Sequence, residues 1–228
     1  MKFSVNKSLL SDAHFSLRKR KKLYWIIGGA GSGKTTICKA LSENFGFPIY
    51  DMDAHIYGDY HSRFTQELQP VNKAWANTEN GLAWLLDMSW DEFNNFNQAA
   101  LPEYLNLLAE DLDDTNENAA IIIDGGISNP ALLSQVIPPH QIISLARPER
   151  SSAEIWSENE ERKSMKEFVF QLPNPEKSWH NFLEFDARIT STILREAQKS
   201  NITIFSRSER KTVNEFAKEI MKILEYLE

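Results

Sequence analysis

The chain has 228 residues, with 25 Lys plus Arg against 32 Asp plus Glu (formal charge −7), 42% hydrophobic and 25% charged residues. That balance excludes a disordered, collagenous or coiled-coil chain and provides no general basic surface for nucleic acid. The single cysteine, Cys38, excludes an intrachain disulfide framework and a cysteine-built zinc site, and nine glycines, none beyond Gly126, make each glycine's place informative.

Residues 1–22 lack the apolar core of a secretory leader, and no stretch approaches 18 apolar residues, so a cytoplasmic protein with no membrane partner is expected. The five cations from Arg18 to Lys22 read as a solvated run ahead of a buried strand. Near-continuous apolar runs predict parallel strands at 23–29, 47–53, 119–126, 141–146 and 202–206. Between the first two, Ile37, Ala40, Leu41 and Phe45 recur at helical spacing and stop before Gly46. Phe182, Phe185, Ile189, Ile193 and Ala197 form a similar stripe ahead of the last strand, and an amphipathic helix follows from Ser208. Alternating strands and helices imply one three-layer α/β domain over residues 1–228. Residues 54–118, rich in Trp, are read as a helical insertion, its tryptophans as core. Residues 148–180 are polar and are read as a mobile, lid-like helical segment.

GGAGSGKTT, Gly28 to Thr36, satisfies G-x-x-x-x-G-K-[ST] between an apolar strand and a helix. In such a loop the backbone N–H groups of Gly28, Gly29, Ala30, Gly31, Ser32 and Gly33 converge on phosphate oxygens. Lys34 reaches the outer phosphates, Thr35 offers a hydroxyl to Mg²⁺, Thr36 completes the set of residues expected to bind the nucleotide, and the helix N-terminus favours the anion. Asp124 ends an apolar strand, IIID, where a carboxylate can hold Mg²⁺ beside the loop. Gly125 and Gly126 behind it permit close approach of a phosphate or acceptor. Asp51 and Asp53 fall at the end of the second strand, on the rim where ligands of doubly wound sheets bind, and two residues apart they are expected to share a strand face. One of the two can accept the proton of an acceptor hydroxyl.

These motifs together resemble the P-loop small-molecule kinases, the group with nucleoside-monophosphate, shikimate and gluconate kinases. The resemblance implies a P-loop NTPase fold with a five-stranded parallel sheet in the order 2-3-1-4-5, MgATP as donor, an acceptor site over the insertion, and a closing lid. By analogy with that lid, Arg147, Arg150, Arg162 and Lys163 are candidates to contact phosphates, with Arg162 preferred for its central position. Lys34, Asp53, Asp124 and Arg162 are thus the catalytic candidates, and Asp51, Asp53, Gly125 and Gly126 the acceptor side. The R-x-P-x-Y stretch of shikimate kinases is missing, which argues against shikimate. Arg188 faces either an acceptor or solvent.

The function this reading supports is transfer of the γ-phosphate of MgATP to a small hydroxyl- or phosphate-bearing metabolite. The partners expected are a nucleotide and a small-molecule acceptor, without nucleic acid. Alternatives are a nucleotide-dependent switch or assembly NTPase and a polynucleotide 5′-end kinase. The first is opposed by Gly125, which stands where many hydrolytic ATPases place a glutamate, and no N-K-x-D follows a late strand.

Overall fold

The computed structural model describes residues 3–147, 150–206 and 211–226. Five strands, β1 (Leu23–Gly28), β2 (Ile49–Asp51), β3 (Ile121–Asp124), β4 (Ile142–Ala146) and β5 (Thr203–Ser206), form one parallel sheet in the order β2-β3-β1-β4-β5. This is the order expected, because each crossover returns through a helix to the next parallel strand. Side chains of β1 alternate between two cores: Leu23, Trp25 and Ile27 face one, Tyr24 and Ile26 the other. Helices cover both faces, which is why all six residues of β1 are buried.

In chain order the helices are α1 (Lys7–Leu17), α2 (Lys34–Phe45), α3 (Met52–Tyr57), α4 (Tyr60–Arg63), α5 (Pro70–Ala76), α6 (Gly81–Leu86), α7 (Trp90–Asp113), α8 (Pro130–Leu133), α9 (Ser152–Ile155), α10 (Glu160–Val169), α11 (Pro175–Lys199) and α12 (Val213–Tyr226). The expected stop of α2 at Gly46 holds: its φ of 73° is left-handed and its N–H bonds the carbonyl of Ser42. Helices α3 to α7 make up residues 52–113, the stretch between the second and third strands. The polar stretch from 150 onward is α9, α10 and the first turns of α11, whose 25 residues run on to β5. Residues 148 and 149 of the lid-like segment, and the start of the last helix at Ser208, lie outside the described residues. Among the described residues, no helix is long and apolar enough to cross a membrane.

Two expectations are corrected. The apolar run 47–53 is a strand only to Asp51, because the Asp51 side chain accepts from the Ala54 N–H and caps α3. Asp51 and Asp53 therefore do not share a strand face; Asp53 lies in the first turn of a helix. The basic run is not wholly solvated either. Arg20 is 4% exposed and donates to the carbonyls of Leu112, Thr115 and Asn116. These end α7, where four carbonyls lack helical partners and the helix dipole is negative. Helix α1 was not foreseen, although Asn6 caps it and Leu9, Leu10, Ala13 and Leu17 form its buried stripe.

Inside the insertion, Glu103 of α7 accepts from the N–H groups of Val71 and Asn72 and from the Asn72 amide, so it caps α5 from a neighbouring helix. Burial lifts its carboxyl from 4.5 to about 7, against those three donors, which pull it down. Folding raises this pKa, so the stability linked to it is complete below about 4.5 and is lost as pH rises to about 7, some ~3 kcal/mol in all. Glu103→Gln is expected to remove that slope. Urea unfolding of both proteins from pH 4.5 to 8 checks it: a wild type whose stability relative to the variant stays level contradicts the assignment.

Candidate active site

The loop from Gly28 to Gly33 leaves the fully buried β1 and enters α2, whose N-terminus has no side-chain cap. Its first N–H groups are therefore open to an anion. Gly29 is packed so closely by the Thr190 side chain of α11 that any Cβ there would collide with it. The Lys34 ammonium donates to the carbonyls of Gly28 at 2.8 Å and Gly29 at 3.4 Å, folded back over its own loop.

The register aligns the strand ends: Asp51 of β2 pairs with Asp124 of β3, which pairs with Ile26 of β1. Asp124 is 4% exposed, and the Thr35 hydroxyl and Cys38 thiol are its hydrogen-bonding neighbours. Its Oδ1 is nevertheless buried without a hydrogen-bond partner. Burial raises the Asp124 carboxyl, opposed by Thr35 and Lys34. Burial and then the charge of Asp124 push the Cys38 thiol well up, so Cys38 is a neutral, buried side chain.

Asp53 comes to the same point from α3. Gly125 has φ +72°, and a Cβ on it would lie 2.5 Å from Asp53 Oδ2 and 3.5 Å from Lys34 Cε. The Gly126 N–H bonds the Asp53 carboxylate, and the buried Trp25 indole donates to the Gly125 carbonyl at 2.9 Å. Burial raises the Asp53 carboxyl; Lys34 opposes this, while Asp124 and Asp51 add to it. The structure thus brings Lys34, Thr35, Asp53, Asp124, Gly125 and Gly126 together, with Asp51 at the edge as a helix cap. Thr36 is exposed on the first turn of α2, and Ser32 is buried with an unpartnered hydroxyl.

The four candidate lid cations separate. Arg162 Nη1 lies 3.3 Å from where a Cβ of Gly31 would be and donates to the Ile155 carbonyl and Glu158. Arg147 donates to the Ala30 carbonyl at 3.1 Å and pairs with Asp186 at 3.4 Å, both side chains being largely buried. Arg150 instead pairs with Glu158, and Lys163 with Glu160, on the surface. Arg188 faces the insertion, its guanidinium over Trp90 at 5.5 Å and bound to Glu184 at 2.7 Å. Trp25, Thr190 and Asp186, which hold the site from outside its motifs, have no motif of their own in the sequence. Only an aromatic in β1 and a polar pair on an otherwise apolar helix face mark them.

A five-stranded 2-3-1-4-5 sheet with a glycine loop between β1 and α2 and an aspartate ending β3 is the P-loop NTPase architecture. No protein-family model matches the chain, and no curated protein sequence does. Among solved structures it is similar to shikimate kinase from Acinetobacter baumannii in complex with shikimate, at 15% identity and a TM-score of 0.47, covering 91% of this chain and 94% of that one. It is also similar to dephospho-CoA kinase from Campylobacter jejuni, at 11% identity and 0.41, covering 90% and 97%. A sugar kinase from Janibacter sp. HTCC2649 follows at 13% and 0.37, covering 90% and 94%. At such identity and overlap these matches add no residue, substrate or cofactor to the geometry.

Gly125→Ala forces a side chain against Asp53 and into a left-handed backbone, and is expected to destabilise the fold by about 1–3 kcal/mol. Gly46 has a similar φ, +73°, but nothing within 4 Å of an added Cβ, so Gly46→Ala is expected to cost only the backbone term, about 1 kcal/mol. Denaturant unfolding of both variants checks the difference; equal losses would mean that Asp53 does not crowd Gly125.

Proposed function

We propose that this protein is a phosphotransferase that moves the γ-phosphate of ATP to a small hydroxyl- or phosphate-bearing acceptor, with Mg²⁺. The observation that carries the reading is the unpartnered, buried Oδ1 of Asp124 beside Thr35 and Lys34, at the open N-terminus of α2. A buried carboxylate oxygen without a donor is unfavourable unless a cation or its water meets it. Thr35 and Asp124 suit Mg²⁺, a hard cation that takes oxygen ligands and keeps several waters. Bound with the nucleotide, Mg²⁺ neutralises charge on the phosphates.

The chain's own groups supply the rest. Loop N–H groups and the α2 terminus bind phosphate oxygens, and Lys34 exchanges the carbonyls of Gly28 and Gly29 for the outer phosphates. Arg162 and Arg147, held against Gly31 and Ala30, add positive charge on the lid side. Asp53, fixed by Gly126 and Lys34, orients the acceptor hydroxyl and takes its proton. The acceptor oxygen then bonds the γ-phosphorus, the bond from that phosphorus to the bridging oxygen breaks, and ADP leaves. Asp51 is occupied by its capping bond to Ala54, so the base in this reading is Asp53.

Lys34→Met is expected to reduce acceptor-dependent ADP release at least ~100-fold; unchanged turnover would sink the reading. Arg162→Gln should reduce turnover ~10-fold or more, whereas Lys163→Gln, one residue away but paired on the surface, should stay within twofold of wild type by the same assay. A base works only when deprotonated, and Asp53 holds its proton above the ordinary carboxylate range. Turnover should therefore rise with pH through an ionisation above that range, seen in a kcat/KM profile. Asp53→Asn should lower the rate and erase that limb.

A further inference from the structure

Helix α10 faces solvent along most of its length. Of its ten residues only Val169 is buried, Arg162 and Met165 are half-buried, and the others are exposed. Positions 162, 165 and 169 recur at helical spacing, so these three side chains form one inward stripe. The remaining polar bonds of the helix are local: Lys163 pairs with Glu160, and the Ser164 hydroxyl donates to the Glu161 carbonyl. Its two ends therefore fix α10 to the rest of the protein.

The N-terminal end lies on the glycine loop. Around the point where a Cβ of Gly31 would stand, Arg162 Nη1 is at 3.3 Å and the Ile155 side chain at 3.1 Å. Arg162 also donates to the Ile155 carbonyl at 3.2 Å and to Glu158 at 3.0 Å, but Glu158 is 43% exposed, and such a surface pair is a weak tether. The C-terminal end is anchored by burial. Val169 packs with Leu172 and Phe185 and, from the insertion, with Leu86, while Met165 and Trp179 flank them. Lys166 lies over the Trp179 ring at 5.7 Å. Leu86 is itself fixed to α11, because the Asn181 amide donates to its carbonyl at 2.8 Å and the neighbouring Asp87 pairs with Lys177 at 2.9 Å. Arg162 and Val169 are about two turns, roughly 10 Å, apart on the same helix face.

Resting on the nucleotide reading above, we propose that Leu86 and Val169 are positioning residues for Arg162. Their contact fixes the far end of α10, and the helix holds the guanidinium over the loop that binds the phosphates. A side chain in a close-packed cluster cannot shift without losing contacts, whereas the exposed middle of α10 has nothing to stop the helix swinging. The insertion thus acts on the phosphate side of the site through α10, since Leu86 belongs to α6.

Binding of MgATP to the full chain, read by calorimetry, tests this without an acceptor. Arg162→Gln is expected to weaken binding about tenfold, the loss of one charge-assisted contact. Leu86→Ala is expected to weaken it at least ~3-fold, and Leu86→Met, which conserves volume, to restore it. The double variant is expected to bind no more than ~2-fold worse than Arg162→Gln alone, because Leu86 acts through that guanidinium. Val169→Ala, a smaller truncation on the other side of the contact, is expected to follow Leu86→Ala and serves where that variant does not fold. Leu17→Ala, equally buried but on α1 in another core, is expected to lose stability in urea and keep wild-type affinity. The proposal is overturned by losses that multiply in the double variant, by an Arg162→Gln protein that binds like wild type, by unchanged affinity in Leu86→Ala or Val169→Ala, or by an equal loss in Leu17→Ala. A wild-type protein that binds no MgATP brings down the nucleotide reading instead.

Discussion

One ammonium group balances the centre of this protein. Lys34 is the cation acting on both Asp53 and Asp124, two carboxylates that burial drives toward the neutral form, with the charge of Asp124 raising Asp53 further and that of Asp51 raising both. Without it they would hold protons or be forced apart, because desolvation of a charge exceeds any stabilisation it lacks a partner to provide. The rest of the site supports that arrangement. The sheet register brings Asp51 and Asp124 side by side, α2 carries Lys34 and Thr35 past them, and Trp25 anchors the Gly125 carbonyl so that Asp53 and Gly126 keep their contact.

The surrounding helices are joined through a third, smaller core. Leu86 of the insertion packs with Val169 of α10, Leu172 and Phe185, and Trp90, Phe93, Trp179 and Phe182 extend the cluster. Phe93 and Phe185 stack at 4.6 Å, and Trp179 and Phe182 at 5.3 Å. Helix α11 runs from this cluster to the glycine loop, where Thr190 touches Gly29 and Asp186 holds Arg147 against Ala30. One continuous helix thus touches the insertion, the lid-side arginine and the loop. Where the chain turns from α10 into α11 it uses Asn174, with φ 54°, between Pro173 and Pro175. Asparagine is among the few residues besides glycine that enter this region readily, which is how a glycine-free segment makes the turn.

Much of the layout is legible along the chain because its signals are local. Apolar runs mark all five strands to within a few residues, and for the central β1, β3 and β4 the cause is burial on both faces of the sheet. Gly33 and Gly46 bracket α2, and the loop stands out because its glycine spacing is so constrained. The less legible features depend on distant partners. The role of Arg20 requires the end of α7, some ninety residues away, to supply three carbonyls. That Arg162 and Arg147 reach the loop while Arg150 and Lys163 do not depends on how α9 and α10 pack on it. A run of similar cations carries no such distinction.

The sequence by itself determined the α/β alternation, the glycine loop, and the candidacy of Lys34, Thr35 and Asp124, because backbone geometry and strand burial restrict which residues can stand there. Only the tertiary structure decided that Asp51 caps a helix while Asp53 comes to the same point as Lys34, that Trp25 holds the Gly125 carbonyl, and that Thr190 packs on Gly29. Those outcomes rest on charge balance and close packing between segments far apart in the chain, which no local pattern encodes.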